Sequence, residues 1–172
     1  MAITPDTKNW TWVLEAPCPQ CGFDASTFDE RDVPAMVRAN AARWPSVLDR
    51  AEVRERPDGS TWSPLEYAAH VRDAFRIFSD RITLMLEEDG PTFADWDQDE
   101  TAVVDRYDEQ DPATVARQLS DAAEHVAAVI DAVPAGAWQR TGLRSDGARF
   151  TVASLAKYFI HDPTHHLWDV RG

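Results

Sequence analysis

Four stretches of this chain repeat apolar residues at spacings of three and four, the period of helices buried along one side. Val37, Ala41, Trp44, Leu48 and Ala51 mark the first, over about residues 32–54. Pro45 falls inside it and is expected to kink or interrupt it, and Pro57-Asp58-Gly59 then reads as a turn. The second stripe, Tyr67, Val71, Ala74, Phe78, Ile82 and Met85, has a well-marked start. Ser63 suits the N-cap, Pro64 the first helical position, and Glu66 completes a capping box. It should end before Gly90-Pro91. The third begins at Asp111-Pro112, runs through Val115, Leu119, Ala122, Val126, Val129 and Val133, and stops near Pro134-Ala135-Gly136. Residues 138–150 hold two glycines and read as a loop or short hairpin. The fourth starts near Thr151 and continues through Val152, Leu155, Phe159 and Ile160.

No stretch shows convincing strand alternation. Four striped helices bury their stripes most economically against one another, so the expected fold is an all-α four-helix bundle. The connection between helices 2 and 3, residues 90–111, is long and acidic but carries Phe93, Trp96 and Tyr107. It should therefore pack on the bundle, and it is long enough to cross over. A loop of this length is often functional.

The 172 residues suggest one domain, and 44% hydrophobic residues with seven Trp can form a core without disulfides. The net charge of -13 argues against nucleic acid or an anionic membrane surface as partner. No apolar run approaches a bilayer span, and residues 1–12 lack a signal-peptide core. The expected location is the cytoplasm and the expected partner a small-molecule substrate.

The histidines are unevenly placed. His161 and His165 are four apart, so they share a face of the last helix, and imidazoles at this spacing can hold one metal. His166 points about 100° away and is less suited. His70 flanks the stripe of the second helix, where it would project toward a neighbouring helix. A set of His70, His161 and His165 would leave coordination positions for water or substrate. Tyr158 and Trp168 fall on the face of the histidine pair and could wall a pocket. His125 reads as an ordinary helix-flank residue. Pro163 lies between the paired histidines, so the helix should kink there or restart with Asp162 as its cap.

Two segments carry a family resemblance. One is Trp62-Ser63-Pro64-Leu65-Glu66-Tyr67-Ala68-Ala69-His70-Val71-Arg72-Asp73. The other is Tyr158-Phe159-Ile160-His161-Asp162-Pro163-Thr164-His165-His166-Leu167-Trp168-Asp169-Val170. With the linker from Asp89-Gly90-Pro91 through Trp96-Asp97-Gln98-Asp99, they resemble the DinB superfamily, the DinB/YfiT-like metalloenzymes, in an actinobacterial type. The resemblance implies a four-helix bundle whose second connection crosses over. It implies a divalent metal, Zn2+ or Ni2+, on His70, His161 and His165, and a homodimer. Several members of the family use low-molecular-weight thiols such as mycothiol or bacillithiol as S-transferases or isomerases, and others have no known activity.

The domain organisation read from the sequence is an arm over residues 1–28 and a bundle over residues 29–172. Cys18-Pro19-Gln20-Cys21-Gly22 lies in the arm. It reads as part of a packed arm, a reversible redox pair or a metal knuckle, though no second C-x-x-C is present. The leading expectation is a metal-dependent thiol transferase or isomerase, in which Asp97, Asp99 or Glu100 is a candidate base or substrate anchor beside the plainer reading of a solvated loop. The alternatives are a non-catalytic, redox-responsive metal-binding stress module and a purely structural metal site.

Overall fold

A computed structural model describes Ile3 and residues 9–172. The part of the arm at residues 1, 2 and 4–8 lies outside the described residues. A short 3-10 turn, Thr11–Leu14, and the Cys18–Gly22 turn precede the first helices.

Helices α1 (Val33–Ala41) and α2 (Trp44–Leu48) occupy the first predicted stretch. The expected interruption occurs, but upstream of the proline, at Ala42-Arg43. Pro45 then sits in the first turn of α2, where a missing N–H breaks no helical bond. The helix also ends sooner than the stripe suggested, at Leu48. Helix α3 (Pro64–Glu87) starts at the anticipated capping box, with reciprocal Ser63 and Glu66 bonds.

The connection after α3 is not a bare loop. It holds β1 (Thr92–Phe93), helix α4 (Gln98–Val104) and a 3-10 turn at Tyr107–Glu109. Tyr107 is fully buried, and its hydroxyl donates to Asp73 at 2.7 Å, tying the connection to α3. Helix α5 (Pro112–Asp131) is capped by Asp111 as expected.

The all-α expectation needs one correction. Strands β2 (Thr141–Arg144) and β3 (Arg149–Thr151) form a hairpin, and β1 pairs in parallel with β2, giving the order β1-β2-β3. Strands of two to four residues are too short to show alternation. Gly147, at φ +96°, makes the turn.

Helix α6 (Val152–Asp169) starts at Thr151, reciprocally capped with Ser154, and runs through Pro163 without restarting at Asp162. Its carbonyls near the proline find extra donors: Asn40 Nδ2 reaches Pro163 O at 2.8 Å, and Thr164 Oγ1 reaches Ile160 O at 2.7 Å. Helices α3 and α1 each pack against both α5 and α6. The result is a four-helix bundle with α1 and α2 as one broken helix. Trp44, Phe75, Ile82, Leu119, Leu155 and Phe159 fill its centre. No described helix is long and apolar enough to cross a membrane.

Candidate metal centres

One turn of α6 presents two interleaved pairs of donors, His161 with His165 and Asp162 with His166. Each pair is four residues apart, and the two faces are about 100° apart. The packing of α6 sends the pairs to different neighbours.

Asp162 and His166 face α3. His70 Nε2 lies 3.2 Å from both Asp162 oxygens, and His166 Nε2 lies 3.4 Å from Asp162 Oδ1. Donor atoms of all three residues fall within 4.8 Å of one another, an arrangement able to hold a metal ion. His166 Nδ1 is bonded to Asp169 Oδ2 at 2.8 Å, which directs its Nε2 toward Asp162. His70 is fully buried, stacked on Trp96 at 5.0 Å and beside Trp62 at 5.3 Å. Its Nδ1 has no hydrogen-bond partner among the described residues.

Electrostatics within this group are strong. Burial opposes charge on His166, but Asp162 and Asp169 outweigh it and raise its pKa to about 9. Burial alone would raise Asp162. The charges of His70 and His166 and the bonds from both rings instead hold it far below the usual carboxylate range.

His161 and His165 face the N-terminal segment. Together with Cys18 and Cys21 they place four donor atoms within 4.8 Å of one another. Cys18 Sγ is 3.7 Å from His165 Nδ1, and His165 Nε2 is 3.8 Å from Asp169 Oδ1. Trp10 lies 5.4 Å from each imidazole and Phe23 lies 5.1 Å from His161. Burial, followed by the neighbouring His165, pushes the His161 pKa down to about 4. Burial pushes the Cys21 thiol up to about 11. Both cysteines are free thiols.

The sequence-derived set of His70, His161 and His165 is thus divided between two groups. His70 joins Asp162, which the sequence suggested only as a helix cap, and His166, set aside because it points about 100° from the His161–His165 face. The signal was present, because Asp162-x-x-x-His166 repeats the spacing of the chosen pair. Tyr158 lines the cavity described next. Trp168 is 49% exposed and packs on His165 instead.

A cavity of about 430 Å³ opens in front of both groups, bordered by Asp162, His166, His161, His165 and Trp10. Arg81, Arg144 and Tyr158 line it as well. Arg144 is clasped by Asp146 through two bonds, 2.8 and 2.9 Å, and donates to the Tyr158 hydroxyl at 3.1 Å. Arg81 is 7% exposed, donates to Ala94 O at 2.8 Å, and makes no ion pair among the described residues. Burial and then the charge of Arg144 lower its pKa. Of the acidic residues named from the linker, Asp99 lines the cavity, Asp97 caps α4, and Glu100 is exposed.

The family model of the DinB superfamily matches residues 35–170, well over half of the chain. No curated protein matches the sequence. Among solved structures, YfiT from Bacillus subtilis is similar, with a TM-score of 0.68 over 81% of each chain at 17% identity. It is described as a probable metal-dependent hydrolase with an unusual four-helix bundle topology. At that identity the likeness speaks to fold.

Proposed function

This chain belongs to the DinB superfamily, and we propose that it is a divalent-metal-dependent enzyme acting on a small anionic substrate. We place its metal on His70, Asp162 and His166. The observation that carries this reading is the convergence of their donor atoms beside a cavity that also holds Arg81, a buried cation with no ion pair among the described residues. Two imidazoles and a carboxylate suit Zn2+, Ni2+ or Fe2+ and leave coordination positions vacant. A divalent ion held there supplies Lewis acidity, polarising a carbonyl and lowering the pKa of a water or thiol that binds it.

The chain's own residues set the rest. In a protein of net charge -13, a buried guanidinium with no ion pair among the described residues is a specific attraction for a carboxylate or phosphate. Arg81 is assigned that role. Tyr158 accepts from Arg144, which leaves its own O–H to donate to a substrate oxygen. Burial keeps that hydroxyl protonated by raising its pKa. Trp62 and Trp96 wall off His70 from water. The reaction class we favour is thiol-dependent transfer or isomerisation with a low-molecular-weight thiol such as mycothiol, as the family resemblance implies.

The test is turnover by zinc- or nickel-loaded protein of small acidic electrophiles with a panel of such thiols. Turnover lost in Asp162→Ala and given a higher KM by Arg81→Met is the expected result. Turnover indifferent to Asp162→Ala removes the site assignment. Turnover with water alone replaces the thiol reading with hydrolysis.

A further inference from the structure

We infer that Cys18, Cys21, His161 and His165 form a second, closed zinc site that fastens the N-terminal segment to α6. The inference is independent of whether His70, Asp162 and His166 hold a catalytic ion.

The donor set comes first. Two thiols and two imidazoles are a complete tetrahedral complement for zinc, and closure by four protein ligands marks a structural rather than catalytic ion. Two thiolates balance the charge of Zn2+, so the occupied centre is neutral, which suits its burial. The distances agree. Bonds of about 2.3 Å to sulfur and about 2.0–2.1 Å to nitrogen put a sulfur about 3.6 Å from a nitrogen across a tetrahedral edge. Cys18 Sγ and His165 Nδ1 are 3.7 Å apart, and all four donors lie within 4.8 Å of one another.

The local backbone is built for it. Gly22 N donates to Cys18 O at 2.9 Å and Cys18 N to Phe23 O at 2.7 Å, folding the Cys-Pro-Gln-Cys-Gly segment into a tight knuckle. Gly22 sits at φ +75°, where a side chain would be strained. The knuckle turns both sulfurs toward one point on α6.

A second observation points independently to a ligand. His161 is 5% exposed, yet its Nε2 is buried with no hydrogen-bond partner among the described residues. An orphaned buried nitrogen costs about 1–3 kcal/mol, and a coordinated ion removes that penalty. Outside the donors, Trp10 and Phe23 form an aromatic shell, and Asp169 approaches the far nitrogen of His165. Carboxylates behind metal-bound imidazoles commonly take that position.

The site would have a consequence for the cavity. Trp10, which packs on His161 and His165, and Gln20, within the knuckle, both line it. Zinc would therefore hold one wall of the cavity in place without touching substrate.

The experiment uses untagged full-length protein loaded with zinc, or with cobalt as a spectroscopic substitute. Metal content, the cobalt spectrum and thiol reactivity are measured in wild type, Cys18→Ser/Cys21→Ser and Asp162→Ala/His166→Ala. Expected results are a thiolate-to-cobalt charge-transfer band with intense tetrahedral visible bands in wild type. The double cysteine variant should lose the band and about one equivalent of zinc. The Asp162→Ala/His166→Ala protein should keep both. Should the cysteine variant fold poorly, wild type alone decides. Both thiols should react with an aromatic disulfide reagent at least tenfold more slowly with zinc than after chelation. A cobalt spectrum without thiolate character, equal thiol reactivity with and without zinc, or a Cys18–Cys21 disulfide as the resting state each overturns the inference.

Discussion

Pro163 lies mid-helix in the segment that carries every α6 donor, so the residue supporting that turn should matter out of proportion to its size. Asn40 is that residue. It is 7% exposed, donates Nδ2 to Pro163 O at 2.8 Å, and accepts from Trp44 Nε1 at 3.0 Å. In Asn40→Ala the fully buried indole N–H loses its acceptor, and a buried orphan donor costs about 1–3 kcal/mol. The Pro163 carbonyl keeps the helical donor four residues on and loses only its second bond, for about 0.5–1.5 kcal/mol. The sum, about 1.5–4.5 kcal/mol, is a large share of a typical domain stability of about 5–15 kcal/mol. At about 2–4 °C per kcal/mol for a chain of this size, the melting temperature should fall by about 3–18 °C. Chemical and thermal unfolding of the metal-free protein measure it. Trp44→Phe serves as the partner in a double-mutant cycle, and the pair should cost less than the sum of its members, because the shared bond is lost only once. Asn40→Ala within about 0.5 kcal/mol of wild type, or strictly additive changes, would show that Asn40 does not brace α6.

Two further outcomes follow from the ion pairs. Burial alone would raise Asp73, but Arg72 and the Tyr107 hydroxyl hold it below its usual 3.8; burial is likewise outweighed at Glu66, where Arg56 and Ser63 hold the carboxyl below 4.5. Depressed folded-state values mean a contribution fully present above pH 4.5 and lost as pH falls through them. Asp73→Asn should therefore lower stability at neutral pH by roughly 3 kcal/mol and flatten the acid limb, with parallel wild-type and variant curves between pH 7 and pH 3 as the contrary result. Asp169 orients His166 and approaches His165. Removing it in Asp169→Ala should weaken divalent-metal affinity about 10–100-fold in competition with a chromogenic chelator, and an unchanged affinity would deny it that role.

The helices were legible because their signals are local. Ser63 with Glu66, Asp111 with Pro112, and Thr151 each mark a start from within a few residues, and the structure uses all three. A short hairpin was one of the two readings of residues 138–150, where β2 and β3 form, but β1 was not legible, because Thr92–Phe93 is a strand only through the partners it meets near Leu143. The same distinction separates what was readable in the site. That α6 carries donors one turn apart follows from spacing. Which pair faces α3 depends on how α6 is rotated in the bundle, and that is set by the burial of Leu155, Phe159 and Ile160, not by the donors themselves. The choice of His161 with His165 as partners for His70 rested on their spacing and the family resemblance, neither of which fixes that rotation, and the structure groups His70 with Asp162 and His166. The approach of Cys18 to His165 spans 147 residues, and no local pattern encodes it.

His165 and His166 are adjacent in sequence, yet belong to different groups, and Asp169 stands behind both. Its Oδ2 holds His166 Nδ1 at 2.8 Å while its Oδ1 lies 3.8 Å from His165 Nε2. A shift of α6 large enough to disturb one ring therefore disturbs the other, because packed helices move as rigid units. The N-terminal segment meets one face of α6 where Cys18 approaches His165 and Trp10 and Phe23 pack on His161, while α3 meets the other where His70 bonds Asp162. This explains why a helix with an interior proline is buttressed by Asn40 and Thr164 rather than left to bend. Two donor groups on faces about 100° apart on one turn tolerate little bending, since a kink there would shift the donors of both.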